Sequence, residues 1–432
     1  MKAKEVILLI LIIFAGVIFY YAHNEKIRLN FSWDEDFLVT GEEFTSEESQ
    51  VVEPPFPSKL RLVNAHGDVE IQGTDEERMT ITLQKKIWRR KESQAKEVSD
   101  KLHVTLSKGE LLLAVSTNRN DFSRRNFETN FRLSLPKHMA LEVDNSYGTV
   151  KIGQVQTCAV VNSHGKTIIS DVAGDVAVEN RYEDVEIENI QGNCRVDNSH
   201  AAVLVSGVKG TLKVDHSYGD IRLENIGQGV EVLSSHSGLL GQHLPGPIDC
   251  QGSYEKLTLI DVGPAKIQGH HWDTEVQGAR ENLYIKNSYA QVSVSDVQGN
   301  LTIDGKNVEI FGKRVIGTEI RLSSSYENID LDEFSGKTTI ALSHGGLSLK
   351  PLALTQSIDV KNVYSDITLV WPGEGKYPFE AQVRGGDIDW NMRENLDHRQ
   401  ENGQTVVKAF SGEKDKPSIF LSTSYGDIRI EQ

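Results

Sequence analysis

Histidines recur at fixed intervals in the middle of the chain, and they are the first candidates for chemistry. His164, His200 and His236 are spaced by 36 residues, and His270 and His271 lie near the next expected place. Zinc needs three or four ligands within about 2.0–2.3 Å of the ion. In a coil of 36 residues the imidazoles would stack, and a metal site would be possible. In a coil of 18 they lie two strand spacings apart, about 9–10 Å, which is too far. We expect corner packing and no metal site.

Carboxylates are the second candidates. Glu186, Glu188 and Glu224 alternate with apolar residues, and the basic Arg222 lies among them. A polysaccharide-cleaving β-helix enzyme would need two carboxyl groups at a defined separation. The same alternation is typical of the solvated face of any strand. We therefore predict no catalytic residue, no cofactor and no enzymatic activity.

Asparagines mark the turns of the same region. Their side chains can bond to nearby backbone and tolerate unusual dihedral angles, which suits a corner. A ladder of ligand-binding asparagines is the alternative. The residues are Asn145, Asn162, Asn180, Asn198 and Asn287.

These residues belong to an internal repeat. The turn reads NSYG at Asn145, NSHG at Asn162 and HSYG at His216, and its ring residues are separated by 17 and then five times by 18 positions. Alternating apolar residues flank each ring and predict two strands per rung, each with one face inward. Glycine turns the chain at a second corner. The ring residues are Tyr147, His164, Tyr182, His200, Tyr218, His236 and Tyr254. The apolar residues of one rung are Val176, Val178, Val185, Ile187 and Ile190. The glycines of the second corner are Gly174, Gly192, Gly210 and Gly229.

Such periodicity over many turns indicates a solenoid. We predict an all-β fold, a single-stranded parallel β-solenoid, with 18-residue rungs favoured over 36 and a right-handed β-helix expected. The ring residues should be half-buried at a corner, and Tyr218 should have His200 and His236 as its neighbours. The solenoid repeats, with a carboxy-terminal cap, are expected over residues 141–432.

The amino terminus indicates location. Residues 1–5 form a short stub carrying Lys2 and Lys4, and the uncharged run over residues 6–22 spans about 26 Å as a helix, enough for a bilayer core. A cleaved signal peptide is the alternative. The flanking lysines place the stub in the cytoplasm and the rest outside. We expect a single-pass cell-membrane protein with an uncleaved signal anchor and an extracytoplasmic domain.

Two segments precede the repeats. Residues 23–57 are acidic and end in three prolines, which predicts an extended tether. Residues 58–140 are expected to cap the solenoid. The cap should hold one short helix over residues 91–102 and strands over 103–107, 111–116 and 130–135. Its basic patch is expected to be a solvated rim, with contact to a membrane or an acidic partner as the alternative; it comprises Lys85, Lys86, Arg89, Arg90 and Lys91 with Trp88.

Composition excludes some classes. A net charge of −16 argues against nucleic-acid binding, which needs a basic face. Cys158, Cys194 and Cys250 form no CxxC pair, so we expect small buried side chains rather than a disulfide framework.

Several segments resemble a known family. The resemblance is carried by the units NSYGTVKI and SYGDIRLENI, the cap, and the final STSYGDIRI. The chain resembles the bacterial toastrack family, also called the putative adhesin family, of LiaG-like envelope proteins. The resemblance covers about residues 58–432 and implies a β-solenoid in the cell envelope, in a family partly linked to envelope stress. This chain departs from the family by placing Tyr or His where a serine-glycine turn is commoner, and it lacks the extra membrane domains of some relatives.

The resulting functional hypothesis is a non-catalytic, membrane-anchored envelope protein. Its solenoid would serve adhesion, scaffolding or partner binding, with a protein or an envelope polysaccharide as partner and the membrane contacted through one helix. The first alternative is an accessory or sensor component of an envelope-stress response. The second is a polysaccharide-active β-helix enzyme.

Overall fold

The computed structural model describes residues 41–392, 396–413 and 416–432. These residues contain one α-helix, α1 (Glu92–Lys101), and a 3-10 turn (Arg119–Asp121). The remainder is dominated by strands. The strands up to the middle of the chain are β1 (Glu42–Val52), β2 (Lys59–His66), β3 (Val69–Thr74), β4 (Met79–Arg89), β5 (Val104–Lys108), β6 (Leu112–Thr117), β7 (Phe127–Pro136), β8 (Ala140–Tyr147), β9 (Val150–Gly153), β10 (Thr157–His164), β11 (Thr167–Val172), β12 (Val176–Asn180), β13 (Val185–Ile190), β14 (Cys194–Asn198), β15 (Val203–Val208), β16 (Thr211–His216) and β17 (Ile221–Ile226). Those that follow are β18 (Gly229–Ser234), β19 (Leu239–Leu244), β20 (Ile248–Ser253), β21 (Lys256–Val262), β22 (Ala265–His270), β23 (Asp273–Ala279), β24 (Leu283–Val297), β25 (Leu301–Ser324), β26 (Ile329–Leu342), β27 (Leu347–Pro351), β28 (Ile358–Lys361), β29 (Ile367–Val370), β30 (Phe379–Val383), β31 (Ile388–Trp390), β32 (Asp397–Glu401), β33 (Gln404–Ala409), β34 (Ile419–Thr423) and β35 (Ile428–Glu431).

Each coil consists of two strands, one in each of two parallel sheets. In the first sheet β12, β14 and β16 lie side by side, with Val178 beside Val196 and Val196 beside Val214. In the second sheet β13 and β15 pair in the same way, with Ile187 beside Val205. Paired residues are 18 positions apart, so the predicted parallel solenoid with 18-residue rungs is confirmed.

Alternation along each strand explains the architecture. In β12 the side chains of Val176 and Val178 are buried while Ala177 and Glu179 are exposed. Because successive residues of a strand point to opposite faces, this pattern turns one face of every strand inward. The inward residues stack from coil to coil into one hydrophobic cluster that runs from Leu60 to Ile430.

The first and last coils lie out of chain order. β2 pairs with β6 on one side and β8 on the other, and β3 pairs likewise with β7 and β9. At the other end β34 lies between β28 and β30, and β35 lies between β29 and β31. Each terminal coil is therefore inserted one place inside its end of the stack.

Antiparallel strands close both ends. At the amino-terminal end β1, β4 and β7 pair antiparallel, and α1 packs on them through Ala95. The predicted helix is confirmed, and the three predicted cap strands correspond to β5, β6 and β7. At the carboxy-terminal end β30, β33 and β32 pair antiparallel over aromatic contacts that join Trp371, Phe379 and Trp390.

The segment expected to be a tether contains a strand. β1 occupies residues 42–52 and pairs with β4 over its whole length, so the tether interpretation is wrong for these residues. The physical reason is complementary charge: Glu48 forms an ion pair of 3.0 Å with Lys85 of β4. Phe44 adds an apolar contact to the cluster beside α1.

The expected stub, the anchor over residues 6–22 and the first part of the tether lie outside the described residues. Among the residues that are described, no helix is both long and apolar enough to cross a bilayer.

Candidate functional site: a ladder of aromatic rings

Aromatic rings stack along the corner between the two sheets. Neighbouring ring centroids are 4.5–5.7 Å apart, and their planes are inclined by only 2–25°. We call this set the ring ladder. It comprises His66, Tyr147, His164, Tyr182, His200, Tyr218, His236, Tyr254, His271 and Tyr289, and, after one interruption, Tyr326, His344, Tyr364 and Tyr425.

Tyrosine and histidine alternate along most of the ring ladder. Tyr218 stacks on His200 at 5.3 Å and on His236 at 5.2 Å, so the predicted neighbours of Tyr218 are confirmed. Successive histidines are therefore two coils apart, about 9–10 Å at strand spacing. The 36-residue coil that would have stacked them is excluded. In the described ranges no three His, Cys, Asp or Glu side chains are grouped as metal ligands.

The ring ladder presents edges rather than faces to solvent. The ladder tyrosines are 44–61% exposed, which confirms the half-buried corner position. Nearly parallel stacking covers the faces of the interior rings with their neighbours. What remains accessible is the outer edge of each ring, so phenol and imidazole groups recur along the corner at the strand spacing of about 4.8 Å.

A column of buried asparagines holds the corner beneath the rings. The Nδ2 atom of Asn162 donates to the carbonyl oxygens of Gly148 and Gly165, at 3.1 and 2.8 Å. Asn180 donates in the same way to Gly165 and Glu183. Each amide thus ties its own corner to that of the preceding coil. The expected backbone-bonding role is confirmed, and burial of these side chains leaves no surface for ligand binding; buried are Asn145, Asn162, Asn180, Asn198 and Asn287.

Other residues replace asparagine in the middle of the column, beginning with His216 and Ser234. His216 occupies the asparagine position and is buried; its Nδ1–H donates to the carbonyl of Asn198 at 2.8 Å. Burial lowers the pKa of His216 below its ordinary value. Farther along, the fully buried Trp272 fills the corner, and a Cβ on Gly252 would lie 2.8 Å from its ring. Glycine is therefore required at that position.

The candidate carboxylates lie on the outer face of the second sheet. Glu188 and Glu224 flank Ser206, two strand spacings apart, and Glu186 forms an ion pair with Lys166 at 2.6 Å. The arrangement is that of a solvated strand face.

The three cysteines face the interior. They are free and buried, as expected from their sparse spacing. Burial raises the pKa of each thiol to about 12. A thiol in this state is a poor nucleophile and packs as a small hydrophobic side chain.

The basic patch of the cap is divided. Lys85 is buried, bonds to Glu48, and also donates to the carbonyl of Ser99 at 3.0 Å. Burial opposes ionisation of Glu48, but hydrogen bonds from Lys85 and Gln50 outweigh it and hold the pKa of Glu48 below its ordinary value. Arg90 and Lys91 remain exposed. Part of the expected rim is thus a structural contact with β1.

Sequence reasoning missed two features of the ring ladder. His66 stacks on Tyr147 at 4.5 Å although the two are far apart in sequence. The motif NAHG around His66 matches the repeat's NSHG and was the available signal. The interruption at Asn307 was also missed; the signal was the spacing from Tyr289 to Tyr326, which corresponds to two coils.

Comparisons with known proteins give a family match and similar solved structures. The family model described as Toastrack DUF4097 matches residues 58–238 and 269–431. A solved structure described as a putative cell adhesion protein from Clostridium sporogenes is 12% identical, covering 90% of this chain and 100% of its own, with a TM-score of 0.18. A putative adhesin from Parabacteroides distasonis is 11% identical over 63% of this chain and 96% of its own, with a TM-score of 0.27. No curated protein matches the chain. On the extent of the family match, the chain belongs to the Toastrack DUF4097 family.

Proposed function

We propose that the protein is a non-catalytic, membrane-anchored envelope protein that uses the ring ladder as an adhesive surface. The observation that carries this proposal is the regular row of exposed ring edges. Tyrosine hydroxyls and imidazole nitrogens recur at strand spacing on a rigid support, so a partner with a repeating structure can make the same contact many times. Aromatic residues are enriched in binding surfaces for their large, rigid contact area.

The proposal places the solenoid outside the cytoplasm and its anchor at residues 6–22. The uncharged run is long enough to span a bilayer core, and the lysines before it favour a cytoplasmic amino terminus. An envelope polysaccharide is the partner that this location and the repeating surface favour. Adhesion in this sense is non-covalent and multivalent, and many weak contacts add to a stable attachment.

Two measurements on the full chain test the proposal. A reporter fused after Gln432 should be exported, and the mature protein should retain Met1. Membrane vesicles that carry the protein should cosediment with isolated cell-wall polysaccharide, whereas vesicles from cells without it should not. Recovery of a soluble form beginning near His23 would contradict the anchor. Equal cosedimentation of both kinds of vesicle would contradict the adhesive role.

A further inference from the structure

The ring ladder has one vacant position. Ser288 pairs with Lys306 and Ala290 pairs with Val308, which places Asn307 beside Tyr289 in the ladder column. On the other side, the backbone N–H of Asn307 donates to the carbonyl of Ser325, next to Tyr326. The alternation of tyrosine and histidine would call for a histidine at position 307. Asparagine places no ring there, so among the described residues the stack is interrupted for one coil.

The walls of this slot are two tyrosine faces. Tyr289 stacks on His271 at 5.2 Å with one face, and Tyr326 stacks on His344 at 4.6 Å with one face. No ring among the described residues covers the opposite faces, and the two tyrosines do not contact each other. Tyr326 is 61% exposed, the highest value among the ladder tyrosines. Both open faces border the coil of Asn307.

The width of the slot follows from strand spacing. Two coils separate the walls by about 9.6 Å, so a ring at the centre would lie about 4.8 Å from each. Elsewhere in the ladder each interior ring lies between 4.5 and 5.7 Å from its neighbours. The slot therefore accepts one ring-sized group from solvent.

Backbone geometry does not explain why asparagine stands here. Asn307 has a left-handed φ of 55°, a conformation that asparagine tolerates well. Yet the same corner position is left-handed at His271 (52°), Tyr289 (55°) and Tyr326 (70°), where rings are retained. A ring at position 307 is thus compatible with the backbone, and the opening is not forced by the fold.

Polar groups line the base of the slot. The carboxamide of Asn307 is half-buried and makes no hydrogen bond to any described residue, so it offers both donor and acceptor. Lys306 is exposed beside it and forms no ion pair within the described ranges. Hydroxyl groups on an inserted ring can bond to both.

We propose that the slot between Tyr289 and Tyr326 binds one neutral hexopyranose unit of a polysaccharide. A saturated chair is thicker than an aryl ring, because axial hydrogens project from both faces, so it fills the width better. Its C–H groups meet the negative faces of the tyrosine rings. Its hydroxyl groups reach the side-chain carboxamide of Asn307. A net charge of −16 disfavours an anionic chain.

This inference deepens the proposed adhesive function and rests on it for the nature of the partner. The test uses full-length protein in a detergent without a sugar headgroup, because a glycoside detergent would occupy the slot. Cellohexaose and N-acetylchitohexaose are titrated calorimetrically, and indole serves as the aryl probe. We expect at least one of the two oligosaccharides to bind with one site per chain, more tightly than indole.

Two variants locate the site. Asn307→His supplies the missing ring and should weaken sugar binding by about tenfold or more. His236→Asn should open an equivalent slot between Tyr218 and Tyr254 and raise the stoichiometry to two; His236 already has a left-handed φ of 54°. The inference is overturned by unchanged binding to Asn307→His, by failure of both oligosaccharides to bind, or by tighter binding of indole.

The slot and the ladder edges can fail separately. If vesicles carrying the wild-type protein do not cosediment with cell-wall polysaccharide, but the protein still binds cellohexaose or N-acetylchitohexaose, the adhesive surface is refuted and the slot is retained. Intact cosedimentation of the wild type and of Asn307→His, with no oligosaccharide binding to either, would refute the slot and retain the adhesive surface.

Discussion

In the coils between His236 and Tyr326, the two corners share a left-handed backbone conformation but carry different side chains. At the second corner, which ends each second-sheet strand, residues with φ between 52° and 58° recur from coil to coil. They are of mixed types: Gln154, Asp171, Asn189, Asn225, His243, Asp261, Asp296, Arg314 and Glu333. At the ring corner, the ladder positions from His236 to Tyr326 adopt left-handed φ of 52–70°, and every one of them except Asn307 holds an aromatic ring.

This difference shows that the corner geometry does not dictate an aromatic residue. A left-handed backbone costs a bulky side chain about 1–2 kcal/mol, so aromatic residues are unfavourable there unless other contacts offset the cost. Stacking between coils supplies such contacts at the ring corner. At the second corner the contacts are exposed ion pairs, such as Arg314 with Asp296 at 2.6 Å, which contribute little to stability.

Removing one ladder ring should change stability the most. Tyr254→Ala should lower the local free energy of unfolding by about 2–3 kcal/mol, because the ring is half-buried and stacked on both faces. His243→Ala is the matched control, since His243 has a similar φ at the second corner; we expect a loss below about 0.5 kcal/mol. Hydrogen exchange of the coils around residues 236–271 measures both. Equal losses would show that stacking does not distinguish the corners.

A smaller change should come from His216, which is buried beneath the ring ladder and should make the stability of the fold depend on pH. Because burial lowers the pKa of His216 in the fold, the unfolded chain binds this proton more readily. The free energy of unfolding should therefore show no loss from His216 above the unfolded pKa of about 6.5, and it should decline as the pH falls below that value. His216→Asn places one more asparagine beside Asn198 and should flatten the thermal-unfolding profile between pH 7 and pH 5.

A control separates this histidine from the others. His243→Asn removes an exposed imidazole at the second corner and should leave the pH profile as in the wild type. A His216→Asn protein that loses stability on acidification as steeply as the wild type would refute the role of His216.

A smaller, favourable effect is expected at the vacant ladder position. Asn307→His adds a ring between two tyrosine faces in a backbone conformation that neighbouring rings already adopt. Each stacked pair contributes about 0.5–1.5 kcal/mol, and the left-handed backbone takes back part of this gain. We expect a net increase of roughly 1 kcal/mol by hydrogen exchange of β25. A decrease in the free energy of unfolding would mean that the gap between Tyr289 and Tyr326 does not accommodate an imidazole ring.

The smallest effect is expected at the second corner. Asp296→Asn breaks the exposed pair with Arg314, and the hydrogen bond from that guanidinium holds the pKa of Asp296 below its ordinary value. Solvent screens this pair, so thermal unfolding at neutral pH should be indistinguishable from the wild type. A clear drop in the melting temperature would show that the second corner also depends on its side chains.

The solenoid was predictable from sequence because its period is local. Alternation around Val176 and Val178 marks the inward face, and 18-residue spacing of the rings marks the coil. The order of the terminal coils was not predictable, since β2 and β34 carry the same strand pattern as their neighbours and any of them can pair. The strand β1 was missed because its partner, β4, lies beyond two other strands and its acidic residues read as a solvated segment.

The candidate site was predictable in part. The stacked neighbours of Tyr218 follow directly from the repeat. The vacancy at Asn307 required the register of β24 and β25, because it is defined by two rings from different coils and by the absence of a third.

We propose that the exposed edges of the ring ladder serve binding, in addition to the packing of the rings. The most direct test combines Tyr182→Phe, Tyr218→Phe and Tyr254→Phe, which remove three outward hydroxyls and keep every stacked ring. Tyr284→Phe, on the outer face of β24, is the control. We predict unchanged thermal unfolding for both proteins and, for the triple variant alone, reduced cosedimentation of membrane vesicles with cell-wall polysaccharide. Full cosedimentation of the triple variant would contradict the claim.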